Sequence, residues 1–157
     1  MEKYLESYIK LIYNQIELAL QKDEVPIASL AYDLEGIIAL HHNQTTTAQN
    51  ALSHSELLCI DECCKKRKNE RLTGVNLLCS LEPCVMCSGA IIQARIDKVF
   101  YLCRATSGLS LSDILQSDLL ESLDKEKKIN HIPEIVFLDE HEARIMEIMK
   151  GYFGEKR

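Results

Sequence analysis

With 157 residues, 46% of them hydrophobic, the chain has the size and apolar content of one globular domain spanning residues 1–157. A net charge of -6 and a pI near 5.4 do not favour broad electrostatic capture of nucleic acid, so any RNA contact has to be local. No apolar run approaches a membrane span, the opening MEKYLESYIK carries no secretion signal, and seven cysteines make an odd count, so a disulfide framework is not expected. The expectation is a soluble, unprocessed, cytoplasmic protein without a membrane partner.

From Tyr4 to Gln21 the apolar positions Leu5, Tyr8, Ile9, Ile12, Ile16, Ala19 and Leu20 recur at helical spacing and predict an amphipathic first helix. Val25–Tyr32 and Ile37–His41 flank Asp33-Leu34-Glu35-Gly36, whose aspartate and glycine suit a tight turn, and predict a β-hairpin. Residues 43–50 are polar and aperiodic, a loop. Helical spacing resumes through Leu57, Leu58 and Ile60, so a second helix is expected to begin at His54. Its far end carries the densest basic cluster, Lys65-Lys66-Arg67-Lys68 with Arg71, which reads as a solvated helix end before it reads as a phosphate contact; a weaker cluster is Lys150, Lys156 and Arg157.

Val75–Leu81 predicts a buried strand, and Pro83 suits the first turn of a helix that Cys84-Val85-Met86-Cys87 would open. A strand over Lys98–Cys103, a Ser/Gly-rich loop, a polar helix over Asp113–Lys128, a strand over Glu134–Asp139 and a closing helix from Glu140 complete the order. Alternation of strand and helix from Val75 onward implies right-handed parallel crossovers. The fold class is therefore α/β: a sheet of about five strands with the hairpin at one side and helices on both faces.

Cys84 and Cys87 put two sulfurs on one helical turn, where the helix N-terminus favours thiolates. Alone, a C-x-x-C reads as a redox pair, half of a structural zinc knot, or the thiolate side of a catalytic metal site. His54 falls at another predicted helix start, and a sheet of this kind brings helix N-termini together at the carboxyl ends of neighbouring strands. Three ligands leave a position open for water, as catalytic zinc requires, whereas structural zinc takes four; the other candidate pair, Cys63-Cys64, is adjacent rather than spaced. Glu56, two residues after His54, is placed to move protons without ligating the metal, although Ser53-His54-Ser55-Glu56 also fits a capping box in which Glu56 returns to the N-cap amide. Cys59, Cys63, Cys64, Cys79 and Cys103 read as small buried groups, and His41, His42 and His131 as packed or solvated.

The order H-x-E followed by P-C-x-x-C resembles the zinc-dependent cytidine deaminase superfamily and, within it, the bacterial tRNA adenosine deaminases of TadA type. The resemblance runs from Val25-Pro26 and Asn43 through His54-Ser55-Glu56 and Leu81–Ala90 to Asn130-His131 and Tyr152-Phe153. It implies a three-layer α/β/α cytidine-deaminase-like fold with a mixed sheet, and one zinc per chain on His54, Cys84 and Cys87. It further implies Glu56 as proton carrier and Asn43 in contact with the base. The implied reaction converts adenosine to inosine at the wobble position of a tRNA anticodon stem-loop, by a homodimer. The family usually reads D-P-T-A-H-A-E where this chain has Asn50-Ala51-Leu52-Ser53-His54-Ser55-Glu56. Its basic loop and tail are replaced by Arg104–Ser110 and by Tyr152-Phe153-Gly154-Glu155-Lys156-Arg157. These departures keep open a free base or nucleoside, such as guanine or cytosine, as substrate of the same zinc chemistry. A non-enzymatic partner subunit is the remaining alternative, and the intact Glu56 argues against it.

Overall fold

A computed structural model of the chain describes residues 2–129 and 131–156; Asn130 and Arg157, both named above, lie outside the described residues. The elements run α1 (Glu2–Gln21), β1 (Ala28–Tyr32), β2 (Ile37–His42), α2 (Ser55–Arg67), β3 (Asn76–Cys79) and α3 (Val85–Ala94). They continue with β4 (Lys98–Tyr101), α4 (Leu111–Leu115), α5 (Asp118–Lys125), β5 (Glu134–Phe137), a 3-10 turn (Asp139–His141) and α6 (Glu142–Glu155). The five strands form one mixed sheet in the order β2-β1-β3-β4-β5, with β1 antiparallel to both β2 and β3, and β3, β4 and β5 parallel. This is the mixed five-stranded α/β sheet that the resemblance implies, with the hairpin at one side as expected.

Strand side chains alternate between faces, and both faces here are covered, which is why the strands read as near-continuous apolar runs. Leu30 of β1 and Leu78 of β3 face α1 and α6, packing with Ile9, Ile12, Ile16 and Ile145. Ala31 and Leu77, one residue along, face α2, α3 and α4 with Cys59, Ile60, Ile91 and Leu111. No helix among the described residues is long and apolar enough to cross a membrane.

Several predicted bounds shift for local reasons. β1 begins at Ala28 rather than Val25, because Pro26 has no amide to give to a ladder and the Ile27 amide turns back to the Val25 carbonyl at 2.7 Å. The hairpin turn is closed by Asp33, whose Oδ1 accepts from the amides of Glu35 and Gly36, and Gly36 takes a φ of 131° that disfavours a side chain. β3, β4 and β5 are each four residues long, shorter than expected. The single helix expected over Asp113–Lys128 is two: α4 starts early on a capping box between Ser110 and Asp113, and the chain breaks at Gln116-Ser117, where the Ser117 hydroxyl donates to the Ile114 carbonyl at 2.7 Å. The closing helix begins at Glu142, after the 3-10 turn.

Candidate metal centre

Two helix N-termini converge beside the carboxyl end of β3. His54 is the N-cap of α2 and Cys84 the N-cap of α3, each in extended backbone, so both side chains project from the starts of their helices. The α2 end is fixed by Asn43, which follows β2: its Oδ1 accepts from the Ser55 amide at 2.8 Å. The α3 end is fixed by the segment after β4, which bridges Cys84 through Ser110 and donates from the Leu111 amide to the Pro83 carbonyl at 2.9 Å.

Among the described residues, His54, Cys84 and Cys87 form the one group of three potential metal donors, their ligand atoms within 4.8 Å of one another. The Cys84 and Cys87 sulfurs are 3.7 Å apart, and His54 Nδ1 lies 3.8 Å from the first and 3.6 Å from the second. A tetrahedral zinc ion with sulfur at about 2.3 Å and nitrogen at about 2.0 Å separates its sulfurs by about 3.8 Å and sulfur from nitrogen by about 3.5 Å. The triangle therefore fits one zinc ion with a fourth position free.

The electrostatics ask for a cation as well. Burial pushes the Cys87 thiol well above its usual range, with the charges of Glu56 and Cys84 adding to it, so the helix N-terminus alone does not make this sulfur a thiolate. A divalent ion held here would supply the missing compensation.

Glu56 is buried beside this group and outside it. The capping box that Ser53 and Glu56 could have made does not form: His54 is the N-cap and makes no side-chain cap, while Glu56 Oε2 accepts from the Ser55 hydroxyl at 3.0 Å. Asn43 is buried too, and no described residue binds its Nδ2, so the amide half of the carboxamide remains as a donor. Behind it His42 Nδ1 donates to the Asn43 carbonyl at 2.6 Å, and Lys22 donates to His42 Nε2 at 3.2 Å, which defines the neutral tautomer.

The other cysteines and histidines stay apart from the centre. Cys59, Cys63, Cys79 and Cys103 are buried and Cys64 is half-buried, with burial raising each thiol. His41 pairs with Glu62, and His131 Nε2 bonds the Ile96 carbonyl. In the basic cluster Lys65 pairs with Asp61, Lys66 with Glu62, Arg67 with Asp33 and Arg71 with Glu70, which is the solvated helix end anticipated.

Two buried glutamates that sequence reading passed over hold the loops on either side. Glu24 accepts from the Val25, Thr46 and Thr47 amides at 3.0, 2.8 and 3.0 Å and from the Thr45 hydroxyl at 2.8 Å, anchoring the loop that leads to His54. Its burial alone would raise the carboxyl; the donors, Thr47 foremost, outweigh it and bring it down to about 2. Glu82 accepts from the Ala105 amide at 3.1 Å, the Ser112 amide at 3.0 Å and the Ser112 hydroxyl, anchoring the loop after β4. The only advance signals were Glu82 inside the Leu81–Cys84 motif and Glu24 before Val25-Pro26. A recess of about 540 Å³ opens next to this second loop, lined by Ile27, Leu81, Ala105–Ser107, Met149, Lys150 and Phe153.

The MafB19-like deaminase family matches over residues 5–157. A tRNA-specific adenosine deaminase of Bacillus subtilis (strain 168) is 37% identical over 131 residues, 83% of this chain and 78% of that protein. Another, of Rickettsia bellii (strain RML369-C), is 32% identical over 149 residues, 92% and 96% of the two chains. Among solved structures, a tRNA:A34 deaminase studied for A-to-I editing at the wobble position superimposes with a TM-score of 0.76 at 27% identity, covering 91% of this chain and 99% of the other. Guanine deaminase from Bacillus subtilis gives a TM-score of 0.60 at 25% identity, covering 90% and 91%.

Proposed function

The chain belongs to the MafB19-like deaminase family and is a relative of the tRNA-specific adenosine deaminases, and from that premise we propose that it hydrolyses adenosine to inosine at the wobble position of a tRNA anticodon. Residues 1–157 act as one deaminase domain with one zinc ion per chain. The observation that carries this reading is the open triangle of His54, Cys84 and Cys87 beside buried Glu56.

His54 Nδ1 and the sulfurs of Cys84 and Cys87 would hold the zinc, which when bound supplies Lewis-acid activation of a water molecule. Glu56 would carry protons from water, one to purine N1 and one to the departing amino group. C6 gains the water oxygen, the C6–N6 bond breaks and ammonia leaves, so four hydrogens on water and adenine become one on N1 and three on ammonia. Asn43 orients the base through its Nδ2 donor while its Oδ1 keeps α2 in place. Among the alternatives, a non-enzymatic partner would have no need of Glu56 in this position.

The recess between the 105–107 loop and α6 gives the flanking nucleotides an apolar surface with a single lysine, which suits local contact by an acidic protein. A free purine is the second reading, favoured by the likeness to guanine deaminase and by the net charge of -6. Cytoplasmic localisation and a homodimer complete the proposal, the dimer being open to sedimentation analysis.

The deciding experiment offers zinc-loaded protein an anticodon stem-loop with adenosine at the wobble position and, separately, free bases and nucleosides, with products read by mass spectrometry. Inosine in the stem-loop is expected. Turnover of free bases or nucleosides alone would sink the RNA reading.

A further inference from the structure

Ser55 occupies the position where the related motif quoted above carries alanine, and its hydroxyl is not idle. It donates to Glu56 Oε2 at 3.0 Å and lies 2.8 Å from the hydroxyl of Ser29, the second residue of β1. Ser29 and Ser55 are each 0% exposed and Glu56 is 3% exposed, so water does not compete for these bonds.

Each hydroxyl has one proton. The Ser55 proton goes to Glu56 Oε2, so the Ser55 oxygen accepts from Ser29, giving a one-way chain from the sheet to the carboxyl group. The base of that chain is fixed by strand pairing, since Ser29 is registered opposite both His41 and Cys79. Its middle is fixed a second time through the Ser55 amide, which donates to Asn43 Oδ1. The last torsion of a glutamate is broad, so rotamer preference does not by itself orient the carboxylate plane. A donor on one oxygen does. No described residue donates to Oε1, and every fully buried side-chain oxygen among the described residues has a partner, so Oε1 is the oxygen left accessible.

We propose that Ser55, backed by Ser29, is a positioning residue that orients Glu56 so that Oε1 faces the substrate. The inference rests on the reading of Glu56 as the proton carrier. It ties the carboxylate to the same residue whose amide holds Asn43, so the proton carrier and the base contact share one anchor.

The test compares Ser55→Ala, Ser29→Ala and the double variant with the parent, all zinc-loaded. Expected are a kcat lower by about tenfold for Ser55→Ala and by about threefold for Ser29→Ala, the worth of a hydrogen bond to a charged group and of its support, with KM and zinc stoichiometry unchanged. The double variant should be no slower than Ser55→Ala, because Ser29 acts only through Ser55. High-resolution crystal structures should show one Glu56 carboxylate orientation in the parent and two in Ser55→Ala. An unchanged kcat, multiplicative losses in the double variant, or a single unaltered orientation in Ser55→Ala would each overturn the proposal. If the parent turns over none of the substrates, the deaminase reading fails and the crystallographic comparison still decides the positioning.

Discussion

The metal centre and the loops beside it are built on opposite principles. The centre takes its donors from two helix starts, each within a few residues of a short motif, and the three donor atoms already stand at zinc spacing. The loops over 44–53 and 104–112 take their shape from behind, through Glu24 and Glu82, buried carboxylates that bond segments more than 20 residues away in sequence. A metal-bound centre is stabilised by its ligand. The loops depend on desolvated charge satisfied by neutral donors, which leaves them free to vary in sequence as long as the donors remain.

That contrast breaks most sharply at the ligands. Cys87→Ala should reduce zinc from one per chain to near zero and abolish turnover, and should remove the rise in melting temperature that zinc gives the parent. Metal analysis and thermal unfolding with and without zinc read this directly. Glu56→Ala comes next: zinc should stay near one per chain while kcat falls by about a thousandfold, the usual worth of a placed proton carrier. Loss of zinc in this variant would make Glu56 a ligand and overturn its assignment.

The loop anchors should behave in reverse. Glu24→Gln faces its amide toward the Thr46 and Thr47 amides, leaving donors opposed, and should cost about 2 kcal/mol of stability with zinc stoichiometry unchanged. The pH dependence has a definite sign. Glu24 is held at about 2 when folded against an ordinary 4.5, so its contribution is present above about pH 4.5 and is lost as pH falls toward 2. In Glu24→Gln that part of the acid destabilisation should vanish, which urea unfolding at pH 3 and pH 6 would measure. Equal stability loss at both pH values would show that the carboxylate charge is not what holds the loop.

The sequence made the centre legible because its grammar is local: H-x-E and P-C-x-x-C each fix their side chains within a turn of helix, and the alternating strands and helices point to parallel crossovers with the hairpin at one side, though not to the strand order itself. It did not make Glu24 legible, because Lys22-Asp23-Glu24 reads as an ordinary charged turn, and only the fold shows three threonine-bearing positions folding back over it. Ser55 was similarly opaque. The motif's legible capping box involved Ser53 and Glu56, whereas the Ser55 hydroxyl has as partners Ser29 on a strand and the neighbouring carboxylate. The break at Gln116-Ser117 was hidden for the same reason, since a hydroxyl bond back to Ile114 competes with a helix that composition alone would continue.

The smallest expected effect sharpens the comparison from outside both regions. Lys65 and Lys66 belong to the densest run of positive charge, yet each is spent on an acid one turn earlier, Asp61 and Glu62, on an exposed helix end where such pairs are worth about 0–1 kcal/mol. Lys150, by contrast, stands at the mouth of the recess beside the 105–107 loop. Lys65→Ala with Lys66→Ala should therefore leave KM for the stem-loop within about twofold and its salt dependence unaltered. Lys150→Ala should raise KM by about threefold to tenfold and flatten the salt dependence by the equivalent of one phosphate contact. If the two results came out reversed, the RNA would have to approach over the far end of α2, and the loops held by Glu24 and Glu82 would no longer be the surface that chooses the substrate.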